Sequence, residues 1–334
     1  MHGWIILDKP LGITSAHGVA KVKRLMRAEG LKKPKVGHGG TLDPLATGVL
    51  PIALGEATKL TGRMLNGDKG YDFTIRFGTA TSTDDAEGEV VASSDVRPTL
   101  PEIEAALPAF TGPITQRPPA YSALKVDGER AYARARRGEV VELAERTVTV
   151  HALVLGKQAP LSPTPPMSSP RRRGSLEQNH GRDPRLRGDD NLVGARTDGP
   201  LLEITLSARV SKGTYIRSLA RDIAVSLGTV GHVSMLCRTH CGPFTLENAI
   251  SVDMLEHRAR ERGLGGMVLP MTAALDDIPA LSVNPDEAAR LKQGQQLVGR
   301  PEPDGAYIAM DGDTPAAMVS LCEGTVRVDR GFNL

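Results

Sequence analysis

A compositional break in the middle of the chain limits which segments can share a core. Residues 158–199 have few apolar side chains, no hydrophobic period and several prolines, so we predict a disordered insertion. Patterns typical of β-strands stand on either side of it, at 148–155 and 202–210. These two strands should therefore be neighbours in one sheet. The arginine triplet at 171–173 is consistent with RNA binding, but this composition is more typical of a solvated linker.

The remaining composition restricts the class of protein. A length of 334 residues suggests two domains, and three cysteines are too few for a disulfide-stapled fold. The chain has no apolar run long enough for a membrane span, and its first residues lack the pattern of a signal peptide. We therefore expect a cytoplasmic protein with no membrane association.

Charge is unevenly distributed along the chain. Residues 271–334 contain ten acidic and five basic side chains, and the rest outside the insertion carries an excess of five basic ones. This asymmetry is masked by the overall net charge of +2. A basic body favours a polyanionic partner such as nucleic acid.

One glycine-rich stretch, residues 37–51, holds a single carboxylate in a stiff setting. Asp43 precedes Pro44, which restricts the backbone of both residues, while nearby glycines permit a tight bend. A rigid mount for one acid suits a nucleophile or an acid/base catalyst. A surface turn without a chemical role fits the same pattern equally well.

Two further residues attract attention by their position. Tyr71 begins an alternating strand over 71–77, where it could present an aromatic face or merely pack in the core. Arg217 lies in the first turn of a predicted helix, where the helix dipole disfavours a cation, so we expect an acid from elsewhere in the chain beside it. We also reject a zinc site, because the spacing of the four candidate ligands matches no structural zinc pattern. These candidates are His232, Cys237, His240 and Cys241.

Local patterns predict the other elements. A helix should begin at Thr14 or Ser15, a capping box at Thr99 and Glu102 should start another, and Asn284 should precede a third. Short strands separated by Gly and Asp turns predict a small β domain near the carboxyl terminus. The remaining predictions are strands at 4–7, 49–54, 307–310, 317–321 and 325–328, and short helices at 56–65 and 130–137.

Five separated motifs resemble those of one enzyme family. They lie in the family's order at residues 8–15, 37–51, 69–71, 118–125 and 212–219. On these motifs, the sequence from residue 3 to about 250 resembles the bacterial tRNA pseudouridine synthases of the TruB type, which modify uridine 55 in the T-loop.

The resemblance implies an α+β protein with the pseudouridine synthase fold, a mixed and mainly antiparallel sheet with flanking helices. Residues 1–270 would form the catalytic domain, and residues 271–334 a small β-rich, PUA-like RNA-binding domain. The implied partner is the T-stem-loop of tRNA. Neither a cofactor nor an obligatory protein partner is expected, and the protein should be a monomer.

The resemblance also implies roles for single residues. Asp43 would be the catalytic aspartate, with Arg217 as its ion-pair partner and Tyr71 packed against the target base. His38 would help hold the flipped-out nucleotide, and Leu236 would line the pocket. Lys9, with Pro10, would buttress the site, and Tyr215 would contact substrate. Attack by Asp43 at C1′ or at C6, or elimination at C2′, remain equally open routes.

Two features depart from the family pattern, and other functions compete. The insertion is foreign to the pattern, and an acidic tail fits poorly with RNA binding. A module that binds RNA without chemistry would need only the basic body. A metal hydrolase could instead use Asp43, His38, Asp84 and Asp85 as ligands. A guide-RNA-dependent relative is a further alternative, although the chain lacks long lysine-rich extensions.

Overall fold

The computed structural model describes residues 1–122, 124–126, 128–141, 143–156 and 199–334. The predicted insertion at 158–199 lies outside the described residues, except for Gly199. None of the helices in these described ranges combines the length and apolarity that crossing a bilayer requires.

The described chain contains eighteen strands. They are β1 (Gly3–Lys9), β2 (Val36–His38), β3 (Ala46–Leu54), β4 (Lys69–Phe77), β5 (Thr79–Thr81), β6 (Val90–Ser93), β7 (Gly112–Gln116), β8 (Lys125–Val126), β9 (Glu129–Arg130), β10 (Arg146–Leu155), β11 (Glu203–Val210), β12 (Gly231–Cys241), β13 (Phe244–Thr245), β14 (Ala280–Ser282), β15 (Leu297–Val298), β16 (Gly305–Asp311), β17 (Thr314–Cys322) and β18 (Thr325–Gly331).

Seven α-helices flank the strands within the same described ranges. They are α1 (Ser15–Ala28), α2 (Thr61–Asn66), α3 (Leu100–Ala106), α4 (Ala131–Arg136), α5 (Ile216–Ser226), α6 (Val252–Arg260) and α7 (Pro285–Lys292). The short helix predicted at 56–65 is divided, because a 3₁₀ turn over Gly55–Leu60 precedes α2.

The larger sheet has the strand order β1-β3-β12-β4-β11-β10-β7, with β2 beside β3 and β13 beside β12. Its strand pairs are antiparallel except β3 with β12, which run parallel. The prediction of a mixed, mainly antiparallel sheet is therefore confirmed. β10 and β11 pair directly, as expected for strands on either side of the insertion.

Helix ends follow the predicted capping signals. The Thr14 side chain accepts a hydrogen bond from the His17 amide at the start of α1. Capping boxes begin α3 at Thr99 and α7 at Asn284. Each box satisfies amide groups that the first helical turn would otherwise leave unpaired.

The main core lies between the larger sheet and the helices α1 and α5. Phe73 and Ile75 of β4 and Leu206 of β11 pack there with Leu219 and Ile223 of α5. The alternation predicted for 202–210 holds over the strand but fails at Leu202, whose side chain is exposed. Leu202 lies just before β11, and its carbonyl accepts a hydrogen bond from the Phe77 amide.

A second sheet near the carboxyl terminus has the order β14-β16-β17-β18-β15. The predicted small β-rich region is thus present. It packs against the back of the larger sheet through a buried cluster that includes Trp4, Phe244 and Phe332. Polar contacts add to this interface, because Arg63 donates two hydrogen bonds, of 2.7 and 2.8 Å, to the Asp277 carboxylate.

Candidate active site

Asp43 lies in the loop between β2 and β3, with its side chain 44% exposed. The loop is held on both sides of it. The Leu42 amide donates to Ser15 Oγ at 2.7 Å, and Ser15 Oγ donates back to the Leu42 carbonyl at 3.1 Å. The Gly12 amide donates to the Pro44 carbonyl at 2.9 Å. The restricted Asp43-Pro44 step is thereby attached to the chain segment that leads into α1.

Arg217, at the start of α5, reaches this carboxylate. Its Nη2 donates to Asp43 Oδ2 at 2.9 Å and to the Tyr121 carbonyl at 3.0 Å. Its Nη1 donates to the Thr83 carbonyl at 2.8 Å and lies 3.2 Å from Asp85 Oδ2. The Arg217 side chain is only 7% exposed. Three hydrogen bonds and the charge of Asp85 thus fix the guanidinium, and Asp43 is the carboxylate partner that faces solvent.

Asp85 is the buried partner of Arg217, with a side chain that is 3% exposed. It also accepts hydrogen bonds from the Thr83 hydroxyl and the Glu87 amide. The preceding Asp84 has a left-handed backbone, with φ of +59°, and its Oδ2 lies 3.0 Å from Arg221 Nη1. Burial raises the pKa of Asp84, and Arg221 opposes this shift. These two adjacent aspartates therefore place one carboxylate beside each arginine of α5.

Lys9 lies beneath the Asp43 loop and is fully buried. Its Nζ donates to the carbonyls of Pro10 at 3.0 Å, Ile13 at 2.7 Å and Pro44 at 3.3 Å. Burial lowers the pKa of Lys9 to about 8, although the nearby Asp43 charge opposes the shift. Lys9 thus supports the loop at the residue that follows Asp43.

Arg238 of β12 supports the other side of the same loop and is 1% exposed. Its Nε donates to the Val49 carbonyl at 2.8 Å, Nη2 to the Gly40 carbonyl at 3.2 Å and Nη1 to the Thr41 carbonyl at 3.3 Å. Among the described residues, no carboxylate lies within ion-pair distance of it. Gly48, with φ of +95°, permits close contact with β12, because a Cβ there would lie 2.3 Å from the Arg238 carbonyl.

Tyr71 and Leu236 lie on the two central strands beside this loop. Tyr71 of β4 pairs in register with Arg238 of β12, and Leu236 pairs with Phe73. Leu236 is buried, and Tyr71 is partly exposed. Burial raises the pKa of the Tyr71 hydroxyl, and the Arg238 charge partly offsets the shift. An aromatic face and an apolar side chain therefore border the Asp43 loop.

His38 ends β2, which leads into the Asp43 loop, and Tyr215 lies two residues before Arg217. His38 Nδ1 accepts a weak hydrogen bond, of 3.4 Å, from the Gly40 amide. Burial and the charge of Arg238 lower the pKa of His38, which favours the neutral imidazole. Tyr215 immediately precedes α5, and Gln116 binds its backbone by accepting from its amide at 3.1 Å and donating to its carbonyl at 3.3 Å.

The structure brings Asp43 and Arg217 into contact and places Lys9, Tyr71 and Leu236 around their loop. Three further residues contribute that the sequence patterns do not indicate, namely Asp85, Arg238 and Gln116. The sequence suggests Asp85 as a metal ligand, whereas in the structure it pairs with Arg217. The sequence signal that could have indicated Arg238 is a charged residue within a strand, two positions after Leu236. The described residues bring together no group of three or more His, Cys, Asp or Glu that could hold a metal ion.

Comparisons with known proteins agree with the five sequence motifs described above. Residues 23–161 match the family described as TruB family pseudouridylate synthase (N terminal domain), and residues 217–276 match the tRNA pseudouridylate synthase B C-terminal domain. The chain is 52% identical over 332 residues to tRNA pseudouridine synthase B of Novosphingobium aromaticivorans, covering 99% of this chain and 97% of the relative. The protein of that name from Zymomonas mobilis is 47% identical over 333 residues, which cover 100% of this chain and 96% of the relative.

Solved structures agree on the fold. The structure of an H/ACA RNP bound to a substrate RNA containing 2′-deoxyuridine superposes with a TM-score of 0.64 at 23% identity. The match covers 99% of this chain and 85% of that one. A Cbf5-Nop10-Gar1 complex gives a TM-score of 0.63 at 24% identity. That match covers 99% of this chain and 84% of the matched chain.

Proposed function

The chain belongs to the TruB family of tRNA pseudouridine synthases, and from that premise we propose that it isomerises uridine 55 in the T-loop of tRNA. The observation that carries the proposal is the pair of Asp43 and Arg217. One carboxylate is exposed to an incoming nucleotide, while its guanidinium partner is buried and held by three hydrogen bonds and the charge of Asp85.

The reaction explains why one fixed carboxylate is required. The N-glycosidic bond breaks, the freed uracil rotates, and C5 of the base then bonds to C1′ of the sugar, with the C5 proton released. No external group is consumed, because uracil is both the leaving group and the returning nucleophile. The three routes, attack at C1′, attack at C6 and elimination at C2′, all begin with an ionised Asp43, whose charge Arg217 stabilises at 2.9 Å.

The base must leave the helical stack before this chemistry, at a cost of about a few kcal/mol. We assign Tyr71 to the face of the flipped base, where stacking recovers roughly 1–3 kcal/mol. Leu236 would line the pocket, and His38 would help to hold the flipped-out state. Lys9 would keep the loop in place, and Tyr215 would contact the substrate.

We further propose the surrounding organisation. Residues 1–270 would form the catalytic domain and 271–334 a PUA-like domain that contacts tRNA. The acidic composition of the second region favours few phosphate contacts there, because such contacts require basic side chains. We expect a cytoplasmic monomer that binds the T-stem-loop and needs no obligatory protein partner or cofactor.

The test is position-by-position mapping of pseudouridine in an unmodified tRNA transcript incubated with the purified protein. The variant Asp43→Asn should yield no detectable product while binding the T-stem-loop with an unchanged Kd. Asp68→Asn is a matched control, because Asp68 is 41% exposed and also has a cationic neighbour, Arg209, with its Nε 3.9 Å from Asp68 Oδ2, but lies outside the Asp43 loop. This control should retain full activity.

Each competing function has its own outcome in this assay. Product formed by Asp43→Asn would refute the role of Asp43, and product at another position would refute the substrate assignment. Binding without product from the wild-type protein would indicate an RNA-binding module. Loss of activity in excess chelator would favour the metal hydrolase, and a requirement for added guide RNA would favour the guide-dependent alternative.

A further inference from the structure

Arg146, the first residue of β10, occupies an unusual position beside α5. Its Cζ lies 4.7 Å from the centre of the Tyr215 ring, so the guanidinium contacts the aromatic side chain that precedes α5. Two of its nitrogens, Nε and Nη2, are buried and have no hydrogen-bond partner. Among the described residues, no carboxylate lies within ion-pair distance of Arg146. This cation therefore has donors that the protein itself does not use.

The other arginines near the site are differently arranged. Arg217 and Arg221 are paired with carboxylates, and Arg238 donates to three carbonyls. Arg97 also leaves its Nε unpaired, but its Nη1 donates to two carbonyls. Because buried N–H groups are seldom left unpaired, the free donors of Arg146 suggest that an acceptor comes from outside the chain.

The backbone that carries the ring under Arg146 is held by hydrogen bonds with a buried side chain. Gln116, which binds both backbone groups of Tyr215, is 1% exposed and is also the cross-strand partner of Arg146. The position of the ring and the position of Arg146 are thus set by the same pair of strands. Because Nε and Nη2 are buried in this structure, the guanidinium has to turn outward for these donors to meet an acceptor from outside the chain.

Space and charge beside Arg146 favour an anion. Gly213, with φ of +85°, lies beside the guanidinium and places no side chain against it, since a Cβ there would lie 3.7 Å from Cζ and Nη1. The neighbouring Lys212 is exposed and adds a second positive charge. Tyr215 is two residues before Arg217, so an anion here would lie close to the Asp43–Arg217 pair.

We propose that Arg146 binds a phosphate of the tRNA backbone next to the nucleotide that reacts. A planar guanidinium with two free N–H groups suits a phosphate, which accepts two parallel hydrogen bonds, and turning outward brings both N–H groups to it. The proposal rests on the proposed function, because it takes tRNA as the substrate.

The test compares T-stem-loop binding by wild-type protein, Arg146→Met and Arg146→Lys over a range of salt concentrations. Loss of one phosphate contact should lower the slope of log Kd against log salt by about 0.7–0.9. Arg146→Met should show this decrease and bind about tenfold more weakly at low salt. Arg146→Lys should keep the slope, because it keeps the charge, and lose only about threefold in affinity. Arg209→Met is the control, because it removes the same charge from an arginine whose side chain is 70% exposed. Unlike Arg146, Arg209 has a carboxylate beside it, since its Nε lies 3.9 Å from Asp68 Oδ2.

A purely structural role gives a different result. Arg146→Met removes unpaired buried donors, so its Tm should equal or exceed that of the wild type, whereas a structural arginine would lower the Tm when lost. An unchanged salt slope in Arg146→Met, or an equal decrease in Arg209→Met, would overturn the proposal. Mapping of the modified uridine in wild-type protein tests the proposed function separately, since a wrong position there leaves the salt slopes interpretable.

Discussion

Asp85→Asn should disable catalysis without weakening RNA binding. Asp85 Oδ2 lies 3.2 Å from Arg217 Nη1, and both side chains are almost fully buried. At this distance two unit charges interact by about 5 kcal/mol at an effective dielectric constant of about 20. Asparagine keeps the size of the side chain but removes its charge. Arg217 would then have Asp43 as its single carboxylate partner among the described residues.

The expected magnitude follows from what the buried pair does. Removing one member of a buried ion pair typically costs about 3–5 kcal/mol of stability, and we expect the lower end because asparagine retains hydrogen bonds. A displaced guanidinium would also hold Asp43 less precisely. Loss of one such electrostatic contact lowers a rate by about 10²–10³-fold, equivalent to about 2.7–4 kcal/mol.

The assay is the single-turnover rate of pseudouridine formation at saturating tRNA, with the Kd of the T-stem-loop and urea unfolding measured in parallel. Asp84→Asn is the matched control, because asparagine tolerates the left-handed backbone at that position and the Arg221 pair is more exposed. Its rate should fall by less than about tenfold, in line with the small value of partly exposed pairs. Equal rates in the two variants, or weaker tRNA binding with an intact rate in Asp85→Asn, would refute this reasoning.

Three further predictions concern the supports of the Asp43 loop. Arg238→Met should lower the unfolding free energy by about 3 kcal/mol in urea, because three carbonyls lose their donor, and an unchanged value would contradict this. The folded pKa of Lys9, about 8, lies below its ordinary 10.5. The unfolded chain therefore binds more protons in this window, so the contribution of Lys9 to stability should rise between pH 8 and 10.5. A stability difference between wild type and Lys9→Met that stays flat over this pH range would exclude that shift. Gly48→Ala should prevent soluble expression because its Cβ would clash with β12, whereas Gly62→Ala, with open space around it, should express normally.

Local signals in the sequence predicted much of the secondary structure. Thr14, Thr99 and Asn284 begin helices because each side chain caps amides within its own first turn, which depends on only a few adjacent residues. The same holds for Arg217, whose place in the first turn of α5 indicated that an acid should lie beside it. Such rules need no knowledge of the tertiary fold.

The missed contacts join segments that are distant in the sequence. Asp85 approaches Arg217 only when the turn after β5 packs against α5, more than a hundred residues later. Arg238 reaches the Asp43 loop because β12 runs parallel to β3, and nothing in the sequence of β12 specifies that neighbour. Gln116 likewise meets Tyr215 through strand order. These contacts depend on sheet topology, which local patterns do not encode.

The strand order also determines when the sheet can form during synthesis. β4 pairs with β11 and β12, so neither edge of β4 has its partner until late in the chain. The end of β12, at Cys241, follows the end of β4, at Phe77, by 164 residues. At about 5–20 residues per second, β12 is complete roughly 10–30 s after β4, and both edges of β4 stay unpaired until β11 (Glu203–Val210) has been made. A nascent chain with an apolar strand in this state is a natural client for chaperones, and slower translation would lengthen its exposure.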